Sequence, residues 1–137
     1  MPLTSRPDQA SRPPADCLPL LDAERLDSYR LALGFQLLST QLAPRNQPTL
    51  RTQLERASVS IVLNIAEGAG RRSPQDKARF YAMARGSATE CAAILDLLRL
   101  RHLASEEVCR NGRSRLVRIV QMLTKLESRM LARAAGG

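Results

Sequence analysis

The side chains that could perform acid–base or metal chemistry are few and scattered. The chain has one histidine, His102, and three cysteines, Cys17, Cys91 and Cys109, with no C-x-x-C spacing. A zinc site needs about four nitrogen or sulfur ligands that converge. We therefore expect no metal site, and we interpret the cysteines as reduced thiols of a cytoplasmic protein.

The sequence gives no more support for a catalytic site than for a metal site. The best candidates for a catalytic role are Glu67, Glu90 and His102, but general acid–base catalysis needs a second positioned group. Their spacing along helices gives no reason to place them together. Gly68 and Gly70 lack the following Lys-Ser/Thr pair of a nucleotide-binding P-loop. The sequence predicts a protein that is not an enzyme and carries no cofactor.

The arginines are the strongest chemical signal. The chain has 21 Lys and Arg residues, 19 of them arginine, against 13 Asp and Glu residues, which gives a net charge of +8. From Arg110 onward there are seven cations and one anion, Glu127, a net of +6. Such an excess predicts a polyanionic partner. The charge would also suit an acidic protein, so a protein-interaction scaffold is the alternative.

The composition also indicates how a nucleic acid would be bound. Only 3% of the residues are aromatic, and stacking on single-stranded bases relies on aromatic rings. We therefore expect RNA or DNA to be bound mainly through phosphates. Arg118, Lys125 and Arg129 share one side of the predicted last helix. The full set of predicted nucleic-acid-binding residues is Arg71, Arg72, Lys77, Arg110, Arg118, Lys125 and Arg129.

Two regions can be separated along the chain. Residues 1–21 contain five prolines, which fix φ and remove amide donors, so we expect a disordered leader. Residues 22–137 have enough apolar content for one domain with its own core. No stretch reaches the 18 to 20 apolar residues of a membrane span, and the N-terminus lacks a signal peptide's apolar core. We expect a cytoplasmic protein that does not bind membranes.

Apolar periodicity and cap residues predict four helices and an all-α fold, an antiparallel four-helix bundle. The first ends before Pro44, and the second stops at the glycines that begin with Gly68. Ser73 caps the third and Ser105 the fourth. The expected spans are about 22–43, 49–67, 74–101 and 106–132.

The first two helices each carry two apolar stripes. In the first helix, Leu26, Tyr29, Leu33 and Leu37 form one stripe, and the other lies nearly opposite. One stripe fills the core, and we expect the other to contact a second subunit, because large exposed apolar surfaces are uncommon in monomers. The alternative is a monomer that buries both stripes. The predicted interface consists of Leu31, Phe35, Leu38, Leu42, Val59, Val62 and Leu63.

The centre of the chain carries a motif. An Asn-Ile-Ala-Glu-Gly run at 64–68 is followed by Arg71, by an Arg-Phe pair, by a Gly-Ser pair and by a glutamate. This pattern resembles the four-helix-bundle proteins encoded by intervening sequences within bacterial large-subunit ribosomal RNA genes, and the likeness spans roughly residues 26–126. The motif residues are Asn64, Glu67, Gly68, Arg79, Phe80, Gly86, Ser87 and Glu90.

Most motif residues also have a structural interpretation. We expect Asn64 to lie on the inward face and to fix the helix register. Glu67 is expected to pair with Arg71 or Arg79. The Gly86-Ser87 pair would let another helix approach closely.

The resemblance implies an up-and-down bundle that assembles into a ring, commonly a pentamer, without catalytic activity. Related bundles are accessory variability proteins of diversity-generating retroelements, in which the basic ring resembles a platform for a reverse transcriptase and its template RNA. The function is then that of an accessory factor for RNA or for a reverse transcriptase–RNA complex, or that of a ribosomal RNA intervening-sequence protein. The sequence departs from the family at Arg51, Val62 and Leu63, which leaves the branch open.

Overall fold

The structure, a computed structural model, describes residues 20–136. It contains a 3₁₀ turn, Asp22–Arg25, and four α-helices, which confirms the all-α fold class. The helices are α1 (Asp27–Ser39), α2 (Pro48–Gly70), α3 (Pro74–Leu100) and α4 (Glu106–Gly136). The predicted disordered leader, residues 1–21, lies outside the described residues except for Leu20 and Leu21.

The helices form an up-and-down bundle. Each helix packs against the next along the chain, and α4 returns to pack against α1. The connections are short: 40–47, 71–73 and 101–105. Because short connections reverse the chain direction, neighbouring helices are antiparallel. The N-terminus of α1, the α2–α3 turn and the C-terminus of α4 therefore meet at one end of the bundle.

All four helices contribute to one core. The largest fully buried side chains include Phe35 on α1, Ile61 on α2, Leu98 on α3 and Ile119 on α4. Gly112 lets α4 approach closely, because a Cβ there would lie 2.9 Å from the Leu95 Cδ1 and would crowd the core. A side chain at this position would have to displace core atoms.

The first helix is shorter than predicted at both ends. Leu26 is extended (φ −92°, ψ 128°) and separates the 3₁₀ turn from α1. At the other end α1 stops at Ser39, and the following Leu42 and Ala43 are buried in a loop. The prediction of one helix over 22–43 was therefore wrong in its bounds, because apolar residues of the loop continue the helical pattern without being helical.

The two apolar stripes of the first predicted helix do not divide between core and interface as predicted, and Leu26 and Tyr29 of the first stripe pack partly against the core. Phe35 is 0% exposed and Leu42 is 5% exposed, both in the core of a single chain, whereas Leu33 and Leu37 face solvent. The assignment of Phe35 and Leu42 to a subunit interface was wrong. The two stripes are similarly apolar, and the packing of Phe35 near Gly112 of α4 decides between them.

The other predicted interface residues fall into two groups. Leu31, Leu38 and Val62 are partly buried against the core, whereas Val59 and Leu63 are exposed. Leu63 is 61% exposed and Val59 is 36% exposed, so this pair is the part of the predicted interface that solvent reaches most.

The helix ends show which local signals were reliable. The Ser73 Oγ accepts a 3.0 Å hydrogen bond from the Asp76 amide, and the Ser105 Oγ accepts one of 3.2 Å from the Val108 amide. These contacts confirm both predicted N-caps. By contrast, α2 continues through the glycines to Gly70, so the prediction that it stops at Glu67 was wrong. No helix in residues 20–136 has the length and apolarity needed to span a membrane.

Candidate nucleic-acid interface

A row of exposed cations runs along the side of α4 that faces α1. Arg115 lies beside Gly34 of α1, and the other members fall within about 80° of helical rotation of one another. Within residues 20–136 none of them forms an ion pair with a carboxylate. We call this set the α4 basic stripe: Arg115, Arg118, Lys125, Arg129 and Arg133.

The α4 basic stripe contains Arg118, Lys125 and Arg129, which the sequence predicted to share one side of the last helix. It also contains Arg115 and Arg133, which were not among the predicted binding residues. Arg115 and Arg133 carry the same helical-spacing signal as Arg118, since all lie on the polar side of α4. The structure does not bring Arg110 to the stripe. Arg110 lines a groove between α3 and α4 that also holds the carboxylates of Asp96 and Glu106.

The three predicted binding residues near the α2–α3 turn differ in what they contact. The Arg71 Nε lies 3.5 Å from the Glu67 Oε2, which confirms the expected Glu67 pairing. The Lys77 Nζ donates hydrogen bonds of 2.7 Å and 3.3 Å to the last carbonyls of α2. Arg72 is exposed and lines an open groove of about 800 Å³ together with Arg133. Arg72 therefore extends the stripe around the end of the bundle.

Phe80 is covered by two arginines. The guanidinium carbons of Arg71 and Arg79 each lie 4.7 Å from the centre of its ring. Arg79 also approaches the Asp76 carboxylate at 3.8 Å. Cation–π contacts of this kind hold the turn together, so the Arg-Phe pair of the motif has a structural role here.

The motif also links α2 to α3. The Ser60 and Ser87 hydroxyls are 2.9 Å apart, and the Asn64 Nδ2 donates bonds of 2.9 Å and 3.0 Å to the carbonyl and hydroxyl of Ser60. Asn64 is half-buried at the contact between α2 and α3, and its expected role in fixing the helix register stays a prediction. A Cβ on Gly68 would lie 2.9 Å from the Tyr81 ring, which shows that Gly68 permits the close approach of the two helices.

Exposed apolar side chains lie beside this polar link. Val59 and Leu63 are one turn apart on α2, and Met83 is one turn before Ser87 on α3. Gly86 is exposed, and nothing in residues 20–136 lies within 4 Å of the position of its missing Cβ. Among the described residues a neighbouring helix approaches at Ser87 but not at Gly86, so close approach of another helix at Gly86 stays a prediction. We call this surface the α2–α3 face: Val59, Leu63, Met83, Gly86 and Glu90.

The candidate acid–base residues are not brought together. Glu67 lies beside the α2–α3 turn, whereas His102 lies at the opposite end of α3. Glu90 is 12 residues before His102, or about 18 Å along a helix. Cys91 and Cys109 are buried free thiols, and Cys17 lies outside the described residues. Residues 20–136 contain no group of three or more His, Cys, Asp or Glu that could hold a metal ion.

The fold and its surface define a class of protein: a small α-helical bundle with one cationic side and one partly apolar side. Residues 25–125 match the family of the 23S rRNA-intervening sequence protein, and the chain belongs to that family. The match agrees closely with the span of the resemblance found in the sequence. A comparison with curated proteins gave no match. The relation to retroelement accessory proteins stays a prediction.

Proposed function

We propose that this protein is a non-enzymatic, self-associating bundle that binds nucleic-acid phosphates through the α4 basic stripe. The observation that carries the proposal is the row of five exposed cations without ion pairs in residues 20–136. A carboxylate partner would neutralise such a row, and its absence leaves the charge available to a polyanion.

RNA is the ligand to test first. Duplex DNA of the same length is titrated beside it, because phosphate contacts alone do not distinguish the two nucleic acids. The finer alternatives are a ribosomal RNA intervening-sequence protein and a retroelement accessory factor that acts with a reverse transcriptase. Gene neighbourhood discriminates between them, since a ribosomal RNA flank supports the first and an adjacent reverse transcriptase gene supports the second.

Self-association is supported by the α2–α3 face. Three apolar side chains there are substantially exposed, and Gly86 lies in a helix interior, where glycine costs about 1 kcal/mol relative to alanine. A second copy packed closely against Gly86 would offset that cost. Association would also repeat the α4 basic stripe in each subunit and would steepen the salt dependence of binding. A pentameric ring is the assembly that the sequence resemblance favours.

Light scattering tests the assembly. Leu63→Glu should reduce the mass to that of one chain, because it places a charge in the proposed contact. Leu100→Glu is the matched control, since Leu100 is as exposed as Leu63 (65% and 61%) but lies at the far end of α3. Parent protein of monomeric mass at micromolar concentration would refute self-association. Equal effects of the two substitutions would refute the location of the contact.

Binding of labelled RNA at several salt concentrations tests the stripe. Replacing Arg118, Lys125 and Arg129 by Gln should weaken binding to all sequences. It should also lower the slope of log affinity against log salt by about 2 to 3, since each phosphate contact contributes roughly 0.7 to 0.9. The control variant replaces Arg99, Arg101 and Arg113 by Gln. It removes the same amount of charge at and near the C-terminal end of α3, away from the α4 basic stripe. The proposal fails if both triple variants bind alike.

The same titration addresses the alternative of an acidic protein partner. Polyglutamate is the probe, because it offers the charge of an acidic polypeptide without phosphates. Tight binding of polyglutamate together with weak, salt-insensitive binding of RNA would support the scaffold function instead. The opposite ranking is the expected result, because arginine matches phosphate geometry with paired hydrogen bonds.

A further inference from the structure

A small notch separates the N-terminus of α1 from α4. Its volume is about 280 Å³, and its walls include Arg25 and Ser28 on one side and Lys125 and Arg129 on the other. Pockets that enclose whole small molecules measure roughly 300 to 1,000 Å³. The α1–α4 notch lies at the lower end of this range and has room for a phosphate group.

The backbone at the notch offers unsatisfied donors. The N-cap residue Leu26 supplies no side-chain hydrogen bond to α1. Among the described residues, the amides of Asp27 and Ser28 have no hydrogen-bond acceptor. The first amides of a 13-residue helix point along its axis and carry the positive end of the helix dipole. An anion placed there would accept hydrogen bonds from the backbone.

Ser28 provides an independent observation. It is 2% exposed, lines the notch, and its Oγ has no hydrogen-bond partner among the described residues. Buried hydroxyls are normally paired, because an unpaired one loses its bonds to water without replacement. The Oγ is closed to solvent in this structure, so the proposal requires rotation about the Cα–Cβ bond to turn the hydroxyl towards an anion in the notch.

The charges around the notch favour an anion. Arg25, Lys125 and Arg129 lie in its wall, and none forms an ion pair within residues 20–136. The one carboxylate in the wall, Asp27, is paired with Arg30 at 3.3 Å. Three cations without ion pairs among the described residues thus line the notch, next to the first residues of α1.

We propose that the α1–α4 notch binds a single phosphate group of the RNA backbone. The inference rests on the proposed function, since it gives the α4 basic stripe a defined contact point at Lys125 and Arg129. The stripe alone attracts phosphates without fixing their position. The notch adds directional donors, so it fixes the register of the RNA on the bundle.

The first experiment follows the amide signals of Asp27 and Ser28 by ¹H–¹⁵N NMR during titration with a short RNA duplex and, separately, with inorganic phosphate. RNA should shift both signals at the concentrations that saturate binding. Inorganic phosphate should cause the same shifts only at much higher concentration, because it lacks the neighbouring contacts along the stripe. Equally tight saturation by inorganic phosphate would show that the notch serves free phosphate and would overturn the backbone assignment.

The second experiment compares two kinds of variant. Ser28→Ala should weaken RNA binding up to about tenfold through the lost hydrogen bond, with an unchanged salt slope, because the hydroxyl is neutral. The combined change Lys125→Gln and Arg129→Gln should weaken binding and lower the slope by about 1.4 to 1.8. Arg99→Gln combined with Arg113→Gln is the charge-matched control. Ser28→Ala removes an unpaired hydroxyl, so it should not impair folding.

The outcomes distinguish a failure of the notch proposal from a failure of the proposed function. If RNA binds but the Asp27 and Ser28 amide signals do not shift, the notch proposal is refuted. The same holds if Ser28→Ala does not weaken binding. In both cases the proposed role of the α4 basic stripe is unaffected. Absence of RNA binding would refute both the proposed function and the backbone assignment of the notch. Shifts at both amides together with the effect of Ser28→Ala would establish the site.

Discussion

The Lys77 Nζ, in the first turn of α3, donates a 2.7 Å hydrogen bond to the carbonyl oxygen of Ala69 in the last turn of α2. A second bond of 3.3 Å reaches the Gly68 carbonyl. The last carbonyls of a helix have no partner within the helix and carry the negative end of its dipole. Lys77 therefore stabilises the C-terminus of α2, and it has a structural role that its charge alone did not reveal.

Replacing Lys77 with Met should lower the free energy of unfolding by about 1 kcal/mol, because the carbonyls lose a charged donor while the aliphatic stem is kept. Urea denaturation measures the change. Lys125→Met is the control, since Lys125 is exposed without an ion pair among the described residues, and its replacement should alter stability by less than about 0.5 kcal/mol. Similar losses in both variants would contradict the capping role.

Two motif glycines should respond in opposite directions to alanine. At Gly68 the new Cβ would lie 2.9 to 3.1 Å from Tyr81 and Phe80 atoms, so Gly68→Ala should destabilise the chain by about 1 to 3 kcal/mol. At Gly86 the space is open, and Gly86→Ala should stabilise it by up to about 1 kcal/mol.

Thermal unfolding in the Leu63→Glu background measures both glycine substitutions without a contribution from self-association. In the parent background, Gly86→Ala should weaken the assembly if a second copy packs against this position. A stabilising Gly68→Ala would refute the close contact between α2 and α3.

His102 ends α3 in a backbone conformation that favours glycine. Its φ is 56°, and the Leu103 amide donates a 2.8 Å bond to the Leu98 carbonyl across it. This is the arrangement in which glycine usually ends a helix. His102→Gly should raise the free energy of unfolding by about 1 kcal/mol, since the left-handed conformation is costly for residues with a Cβ. His102→Ala should give no such gain, and equal effects would contradict the explanation.

Burial raises the pKa of the Cys91 thiol to about 12, with a smaller contribution from the Glu90 carboxylate. A raised pKa stabilises the fold below the ordinary thiol pKa of about 9, and this contribution is lost as the pH rises from about 9 to 12. In that interval the parent should lose stability faster than Cys91→Ala, by up to about 1.4 kcal/mol per pH unit. Parallel pH profiles would contradict the prediction, because they would show that Cys91 ionises over the same pH range in the folded and unfolded chains.

The sequence predicted those features of the fold that depend on local chemistry. Ser73 and Ser105 cap their helices as expected, because an N-cap needs only a side-chain oxygen and nearby amides. The end of α2 was mispredicted, because the donor that supports it, Lys77, lies in the next helix. The burial of Phe35 was mispredicted for a similar reason, because Phe35 packs near Gly112 of α4, far along the chain.

The candidate site was predicted in part. Helical spacing placed Arg118, Lys125 and Arg129 on one side of α4, and the structure agrees. Spacing within one helix cannot show that Arg72 and Arg133 line one groove, or that Ser28 and Lys125 line one notch. These pairs come from distant parts of the chain, so their proximity follows from packing rather than from periodicity.

The unequal lengths of the helices have a consequence for how the molecule opens. At about 1.5 Å per residue, the 13-residue α1 spans roughly 20 Å, whereas the 31-residue α4 spans roughly 46 Å. The short helix buries less apolar surface, so we expect α1 to detach before α2, α3 and α4 separate. Hydrogen exchange should accordingly be fastest in α1, and uniform protection of all four helices would contradict this order. A three-helix intermediate with Phe35 withdrawn from the core is then the first species on the unfolding pathway.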